Sequence, residues 1–98
     1  MKDILTSILE EIKNLSETHF KGVDFKVDLN KAKEEIQECI ENPTEEEFAD
    51  ILIAVLNGYR KVYGTNGLLL EKAILRKVKK NLYRNWKQNE NGTYSHIK

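Results

Sequence analysis

Residues 28–63 decide the fold, and they read DLNKAKEEIQECIENPTEEEFADILIAVLNGYRKVY. Apolar residues recur in this stretch at spacings of three and four, which is the period of an amphipathic helix rather than of a strand. Pro43 interrupts the pattern, and Thr44 followed by Glu47 has the spacing of a capping box. The stretch therefore predicts two helices joined by a short turn at Pro43.

The same spacing continues along the rest of the chain, which contains one proline and five glycines in 98 residues. We expect four helices, over about residues 3–16, 28–42, 44–63 and 68–86, and no sheet within residues 28–86. Asp28 or Asn30 is expected to cap the second helix. The fold class is all-α, a four-helix bundle in a single domain over residues 1–98, with its core at about 3–86 and a polar loop at 87–98.

Composition narrows the function classes. Sixteen Lys plus Arg balance sixteen Asp plus Glu, so no net field selects nucleic acid or an anionic membrane as a partner. The single cysteine, Cys39, cannot form an internal disulfide, and no signal peptide or membrane span is found. We expect a cytoplasmic protein. So short a chain also predicts a homodimer or homotetramer that covers apolar surface at Ile53 and Leu56.

Carboxylates give the first indication of chemistry. Glu35 and Glu38 lie on the shoulder of the apolar face of the second helix, and Asp50 is the one charge inside an apolar run of the third, three residues after Glu47. That third helix is expected to be the most buried, and a buried carboxylate without a partner is costly. Antiparallel packing of the two helices would bring the two pairs together. Such a constellation predicts a Mg²⁺ site that serves phosphate chemistry.

Two blocks of the sequence resemble a known family. E34-E-I-Q-E38 followed by E47-F-A-D50 matches the EExxE, spacer, ExxD pattern of the MazG-like, all-alpha nucleoside triphosphate pyrophosphohydrolases. The segment K77-V-K-K-N81-L-Y-R84-N-W86 resembles the KxxxNxxR block on the last helix of their single-domain members. The similarity spans about residues 25–86.

The resemblance implies hydrolysis of a nucleoside triphosphate to the monophosphate and pyrophosphate, with Mg²⁺ or alternatively Mn²⁺ as cofactor. Carried over residue by residue, it makes the metal ligands Glu35, Glu38, Glu47 and Asp50. Glu34 would either support the metal ligands without contacting the metal or orient a water molecule. Substrate contacts would come from Lys31, Lys77, Asn81 and Arg84, and Trp86 is a candidate contact to the base.

The chain departs from the family pattern at two positions. Similar small members often have an acidic residue where this chain has Asn57 and a basic one where it has Ala54, so any role of these two positions in substrate choice is open. A related branch, the phosphoribosyl-ATP pyrophosphohydrolases, usually has a histidine at the position of Ala54. Its absence here argues against a role in histidine biosynthesis.

A rival hypothesis comes from another functional class. Acidic residues on helices are usually solvated, and the carboxylates could instead pair with the basic fourth helix of a neighbouring chain in a non-catalytic helical adaptor. The arrangement of the carboxylates discriminates between the two. Convergence on one another favours the enzyme, whereas direct pairing with Lys77, Lys80 and Arg84 favours the adaptor. The sequence leaves open which nucleotide is hydrolysed and how many metal ions are bound.

Overall fold

The computed structural model describes residues 2–97 and contains four helices followed by two short strands. In chain order the elements are α1 (Ile4–His19), α2 (Phe25–Glu41), α3 (Glu45–Tyr63), α4 (Gly67–Leu82), β1 (Trp86–Gln88) and β2 (Tyr94–His96). The predicted four helices are confirmed. The chain divides into two compact units, one up to Leu68 and one from Leu69, and the single domain over 1–98 stays a prediction. Over the described residues, no helix is both long and apolar enough to cross a membrane.

Helix α1 begins at a side-chain cap. The carboxylate of Asp3 accepts hydrogen bonds from the Thr6 backbone N–H at 2.9 Å and from the Thr6 hydroxyl at 2.6 Å. These hydrogen bonds hold the pKa of Asp3 below its usual value. The helix then buries Leu9, Ile12 and Ser16, and α1 packs against α3. Ser16 is therefore a polar residue on the buried side of an otherwise apolar stripe.

Helix α2 begins one turn earlier than the sequence predicts. Asp24 is its N-cap and accepts from the Lys26 backbone N–H at 2.7 Å. Gly22, just before it, has a φ of +76°, a left-handed conformation that glycine adopts without a steric cost. The expected cap at Asp28 or Asn30 is wrong, because this turn already ends at Asp24 and leaves Asp28 inside the helix.

The buried face of α2 carries two acidic residues. The helix buries Asp28, Ala32, Glu35 and Cys39, whereas Ile36 and Ile40 are exposed. Close packing accounts for part of this choice, since a Cβ at Gly58 of α3 would lie 3.4 Å from the Phe25 carbonyl oxygen and 3.5 Å from the Asp28 Cβ. The Asp28 side of α2 can therefore lie directly against α3.

Helix α3 has the predicted N-cap but less burial than expected. The hydroxyl of Thr44 accepts from the Glu47 backbone N–H at 3.2 Å, which is one half of a capping box. In the single chain, α3 buries only Ala54, Asn57 and Gly58 among its residues. The expectation that α3 is the most buried helix is wrong for one chain, because its apolar residues extend around the helix beyond the faces covered by α1 and α2.

The second unit ends in a β-hairpin that the sequence analysis missed. Helix α4 ends at Leu82, and β1 pairs antiparallel with β2 so that Trp86 lies opposite His96. Gly92, with a φ of +89°, lies in the connecting loop. The predicted helix end at residue 86 and the loop over 87–98 are therefore wrong within the described residues. The first strand begins at Trp86, the last residue of the range that was expected to lack a sheet.

Candidate metal and nucleotide site

Helices α2 and α3 bring predicted metal ligands together. Carboxylate oxygens from Glu35, Glu47 and Asp50 all lie within 4.8 Å of one another. Glu35 comes from the buried face of α2, Glu47 from the first turn of α3, and Asp50 from the turn after it. We call these three residues the acidic cluster.

Glu35 and Glu47 are withdrawn from solvent, unlike residues of a solvated acidic surface, whereas Asp50 is exposed. The expectation that Asp50 is a buried carboxylate is therefore wrong for one chain, because the apolar residues around it on α3 are themselves largely exposed. Glu35 is only 8% exposed, and the Oε2 atoms of Glu35 and Glu47 are both buried without a hydrogen-bond partner among the described residues. A buried carboxylate oxygen without a donor or a cation is costly. Hard oxygen ligands of this kind suit Mg²⁺ or Mn²⁺. The donor set therefore fits a divalent cation.

Glu38 lies beside the acidic cluster. The pKa of Glu38 is raised mainly because its protonated form can share a hydrogen bond with the Glu35 carboxyl. The charges of Glu35 and, to a smaller extent, of Glu47 also repel its charged form. Partial desolvation acts in the same direction, and the charge of Lys31 opposes it. Glu38 is thus electrostatically part of the site, although it is not one of the three residues whose oxygens converge.

Lys31 is the cation nearest to the site on α2. Its Nζ lies 3.1 Å from Glu35 Oε1 and 3.4 Å from Glu34 Oε2. The hydrogen bond to Glu35, and then that to Glu34, raise the pKa of Lys31. Glu34 itself is exposed. Both residues therefore lie at the rim, where they can meet a ligand from solvent.

The second unit holds the other predicted substrate contacts. Lys77 and Asn81 lie on α4, Arg84 follows the helix, and Trp86 begins β1. Arg84 Nη1 donates to Asn81 Oδ1 at 3.2 Å, and Trp86 Nε1 donates to the Asn81 backbone carbonyl at 2.9 Å. Three residues that the sequence grouped by spacing are thus held together by direct hydrogen bonds around Asn81.

A buried polar network lies in the first unit and was not predicted from the sequence. Asn57 Nδ2 donates to Asp28 Oδ1 at 3.0 Å and to Ser16 Oγ at 3.3 Å. Asn57 Oδ1 accepts from Arg60 Nε at 2.8 Å. Lys61 Nζ pairs with Asp28 Oδ2 at 2.7 Å and donates to the Val23 carbonyl. One available signal was the spacing of Asp28, four residues before Ala32 on the stripe that also carries Glu35.

Comparison with known proteins identifies the family. The model of the dATP/dGTP pyrophosphohydrolase family matches residues 8–98. The chain belongs to this family. A search of curated proteins finds no match.

A solved structure similar to this chain agrees with the assignment. It is described as the cyanophage S-2L MazG-like pyrophosphohydrolase bound to dGDP and three catalytic Mn²⁺ ions per active site. The two chains are 26% identical, the match covers 98% of this chain and 99% of that one, and the TM-score is 0.79. The resemblance seen in the sequence is thus confirmed, and the MazG-like fold extends over nearly the whole chain.

Family membership and geometry agree on the class of function. The protein is a nucleotide pyrophosphohydrolase, a hydrolase that acts on nucleotides. Glu35, Glu47 and Asp50 converge on one another, which is the arrangement expected for the enzyme rather than for the adaptor.

Proposed function

We propose that the protein hydrolyses dATP and dGTP to the deoxynucleoside monophosphate and pyrophosphate, with Mg²⁺ or Mn²⁺ held by Glu35, Glu38, Glu47 and Asp50. The observation that carries this proposal is the convergence of three carboxylates, two of which bury an oxygen without a hydrogen-bond partner in residues 2–97. The family description supports the choice of purine deoxynucleotides. The Mn²⁺ ions in the cyanophage relative support the choice of metal.

The reaction is the attack of water on the α-phosphorus. A P–O bond forms to the water oxygen, the bond between the α-phosphorus and the bridging oxygen breaks, and pyrophosphate leaves with that oxygen. Divalent ions bound by the carboxylates would polarise the phosphate and lower the pKa of the attacking water. The triphosphate is strongly negative and bound divalent ions would neutralise only part of its charge, so cationic side chains are needed as well.

This chain's own residues have distinct roles in the proposal. Glu34 is exposed beside Glu35 and would orient the water and accept its proton. Lys31 would turn from Glu34 toward the phosphate chain, because its pairing at 3.4 Å is exposed and weak. The remaining substrate contacts, proposed from the family resemblance, are Lys77, Asn81, Arg84 and Trp86.

Release of pyrophosphate tests the proposal. Wild-type protein should release pyrophosphate from dATP and dGTP with Mg²⁺ or Mn²⁺, faster than from the pyrimidine deoxynucleotides, and should not do so with EDTA. Asp50→Asn should lower kcat by about a hundredfold or more, which is typical for loss of a group that stabilises the transition state. Glu46→Gln, an exposed change in the same helix, is the matched control and should retain the rate. An Asp50→Asn protein as fast as wild type would refute the assignment.

A further inference from the structure

A cavity of about 420 Å³ adjoins the acidic cluster in the first unit. Its volume is within the range of about 300–1,000 Å³ that is common for small-molecule sites. Glu35, Asp50 and Lys31 line one part of it, and Ser16, Asp28 and Asn57 line another. The walls between are mainly apolar, with Ile12, Leu15, Phe20, Val23, Val27 and Ile53. The cavity thus has a charged part, apolar walls and a separate polar part, which we call the polar floor (Ser16, Asp28 and Asn57).

The two helices set the distance between the charged part and the polar floor. Asp28 precedes Glu35 by seven residues on α2, and Asn57 follows Asp50 by seven residues on α3. Seven residues are two helical turns, or about 10 Å. Because Asn57 contacts Asp28 and Asp50 lies near Glu35, both helices place the floor on the same side of the cluster. That length leaves room for a sugar and a base beyond a phosphate bound at the cluster.

Hydrogen bonding on the floor leaves one donor available. Both N–H groups of the Asn57 amide are used, toward Ser16 and Asp28. Ser16 is 2% exposed and its Oγ accepts from Asn57, but in residues 2–97 we find no hydrogen bond in which its hydroxyl donates. A buried hydroxyl normally donates as well as accepts. The Ser16 O–H is therefore free to donate to a group inside the cavity.

We propose that the purine base occupies this cavity and that Ser16 donates a hydrogen bond to the acceptor on its Watson–Crick edge, N1 of adenine or O6 of guanine. The inference rests on the proposed function, which places the phosphates at the acidic cluster. In a purine this edge lies farthest from the glycosidic nitrogen, so it is the part that reaches the floor. Ser16 is thereby a specificity-determining residue.

The consequence is a measurable penalty for a base that lacks the acceptor. Such a base would leave the Ser16 hydroxyl buried without an acceptor, and a site built to hydrogen-bond a ligand discriminates strongly against an analogue that cannot. The probes are dAMP and 1-deaza-dAMP, in which a C–H replaces N1. Their binding is measured by titration calorimetry with Mg²⁺ present. Wild-type protein should bind the 1-deaza compound more weakly by about tenfold or more.

A variant cycle assigns this penalty to Ser16. In Ser16→Ala the two nucleotides should bind within about twofold of each other, because neither can receive the hydrogen bond. Ser7→Ala is the matched control, an exposed serine on the same helix, and it should keep the wild-type ratio. The melting temperature of Ser16→Ala shows whether it is folded. If it is not, Ser16→Cys replaces it, because a thiol has a similar shape but is a weaker donor, and the difference between the two nucleotides should again shrink.

Two results would overturn the assignment: equal binding of both nucleotides to wild-type protein, or an unchanged ratio in folded Ser16→Ala. The hydrolysis assay separates this failure from failure of the proposed function. Absence of pyrophosphate release from every nucleotide would refute the hydrolysis. Release from dATP together with equal binding of the two monophosphates would refute only the role of Ser16.

Discussion

Glu35 and Glu47 come from different helices, and each offers a carboxylate oxygen within 4.8 Å of the other and of one from Asp50. Each of the two glutamates also buries an Oε2 atom without a hydrogen-bond partner among the described residues. The negative charges of these carboxylates repel one another unless a positive group neutralises them. Lys31 contacts the other oxygen of Glu35 and is exposed, so it compensates one side of the cluster. The inner side is left for a divalent cation.

Metal binding should therefore stabilise the fold. An ion that binds only the native state contributes about 2.7 kcal/mol at a concentration one hundred times its Kd, which corresponds to a rise of roughly 10 to 20 °C in the melting temperature of a domain this size. Asp50→Asn should lose this rise and be as stable as wild type, or more so, when metal-free, because repulsion is removed. Calorimetry with and without Mg²⁺ measures both effects. Asp50 paired to a protein cation instead would show the opposite sign in metal-free protein.

Lys31 competes with the metal and, in our proposal, serves the phosphates. Lys31→Met should therefore tighten Mg²⁺ binding to nucleotide-free protein by about two- to fivefold, the size expected when the lysine of an ion pair is exposed, and raise KM for dATP. Lys33→Met is the control, an exposed lysine on the same helix, and should change neither value. A Lys31→Met protein with unchanged KM would show that Lys31 serves only to balance the charge of Glu35.

The convergence of the carboxylates could be predicted because it depends on residues that are close in sequence. Glu47 and Asp50 are three residues apart, so any helix places them on one side, and a turn at Pro43 brings α3 back along α2. Only one of the two hydrogen bonds of the predicted capping box is present. Thr44 accepts from the Glu47 N–H, but the Thr44 N–H donates to the Asn42 carbonyl, and the Glu47 side chain joins the acidic cluster instead.

The polar network and the hairpin depend on contacts that are distant in sequence. Two residues of α3, Gly58 and Lys61, decide which side of α2 is buried. Lys61 pairs with Asp28, which precedes it by 33 residues. The helical spacing of α4 likewise continues past Leu82, but pairing of Trp86 with His96 ends it. Local periodicity cannot report either event, because tertiary context overrides it.

The Asp28–Lys61 pair should be important for stability. Its atoms are 2.7 Å apart and the two side chains are only 11% and 16% exposed, so Lys61→Met would leave a buried carboxylate uncompensated. We expect a loss of about 3 kcal/mol or more in the free energy of unfolding, measured by urea denaturation.

Asp28→Asn combined with Lys61→Met should recover part of the lost free energy of unfolding. Lys13→Met breaks an exposed pair at 3.9 Å and should cost less than about 0.5 kcal/mol. Equal losses in both single variants would contradict this account.

Assembly is the remaining prediction, and the structure shifts where it should occur. The apolar surplus was expected at Ile53 and Leu56, but Phe48 and Leu52 of α3 are more exposed than Ile53, at 56% and 58% against 38%. Their spacing of four places them on one side of the helix, so they form an apolar patch that is exposed to solvent in a single chain.

Wild-type protein should therefore sediment as a dimer or tetramer at micromolar concentration, and Leu52→Lys should shift it to monomer by placing a charge in the interface. Asn14→Lys adds the same charge at an exposed position on α1, outside this patch of α3, and should leave the assembly intact. Monomeric wild-type protein at that concentration would refute the prediction.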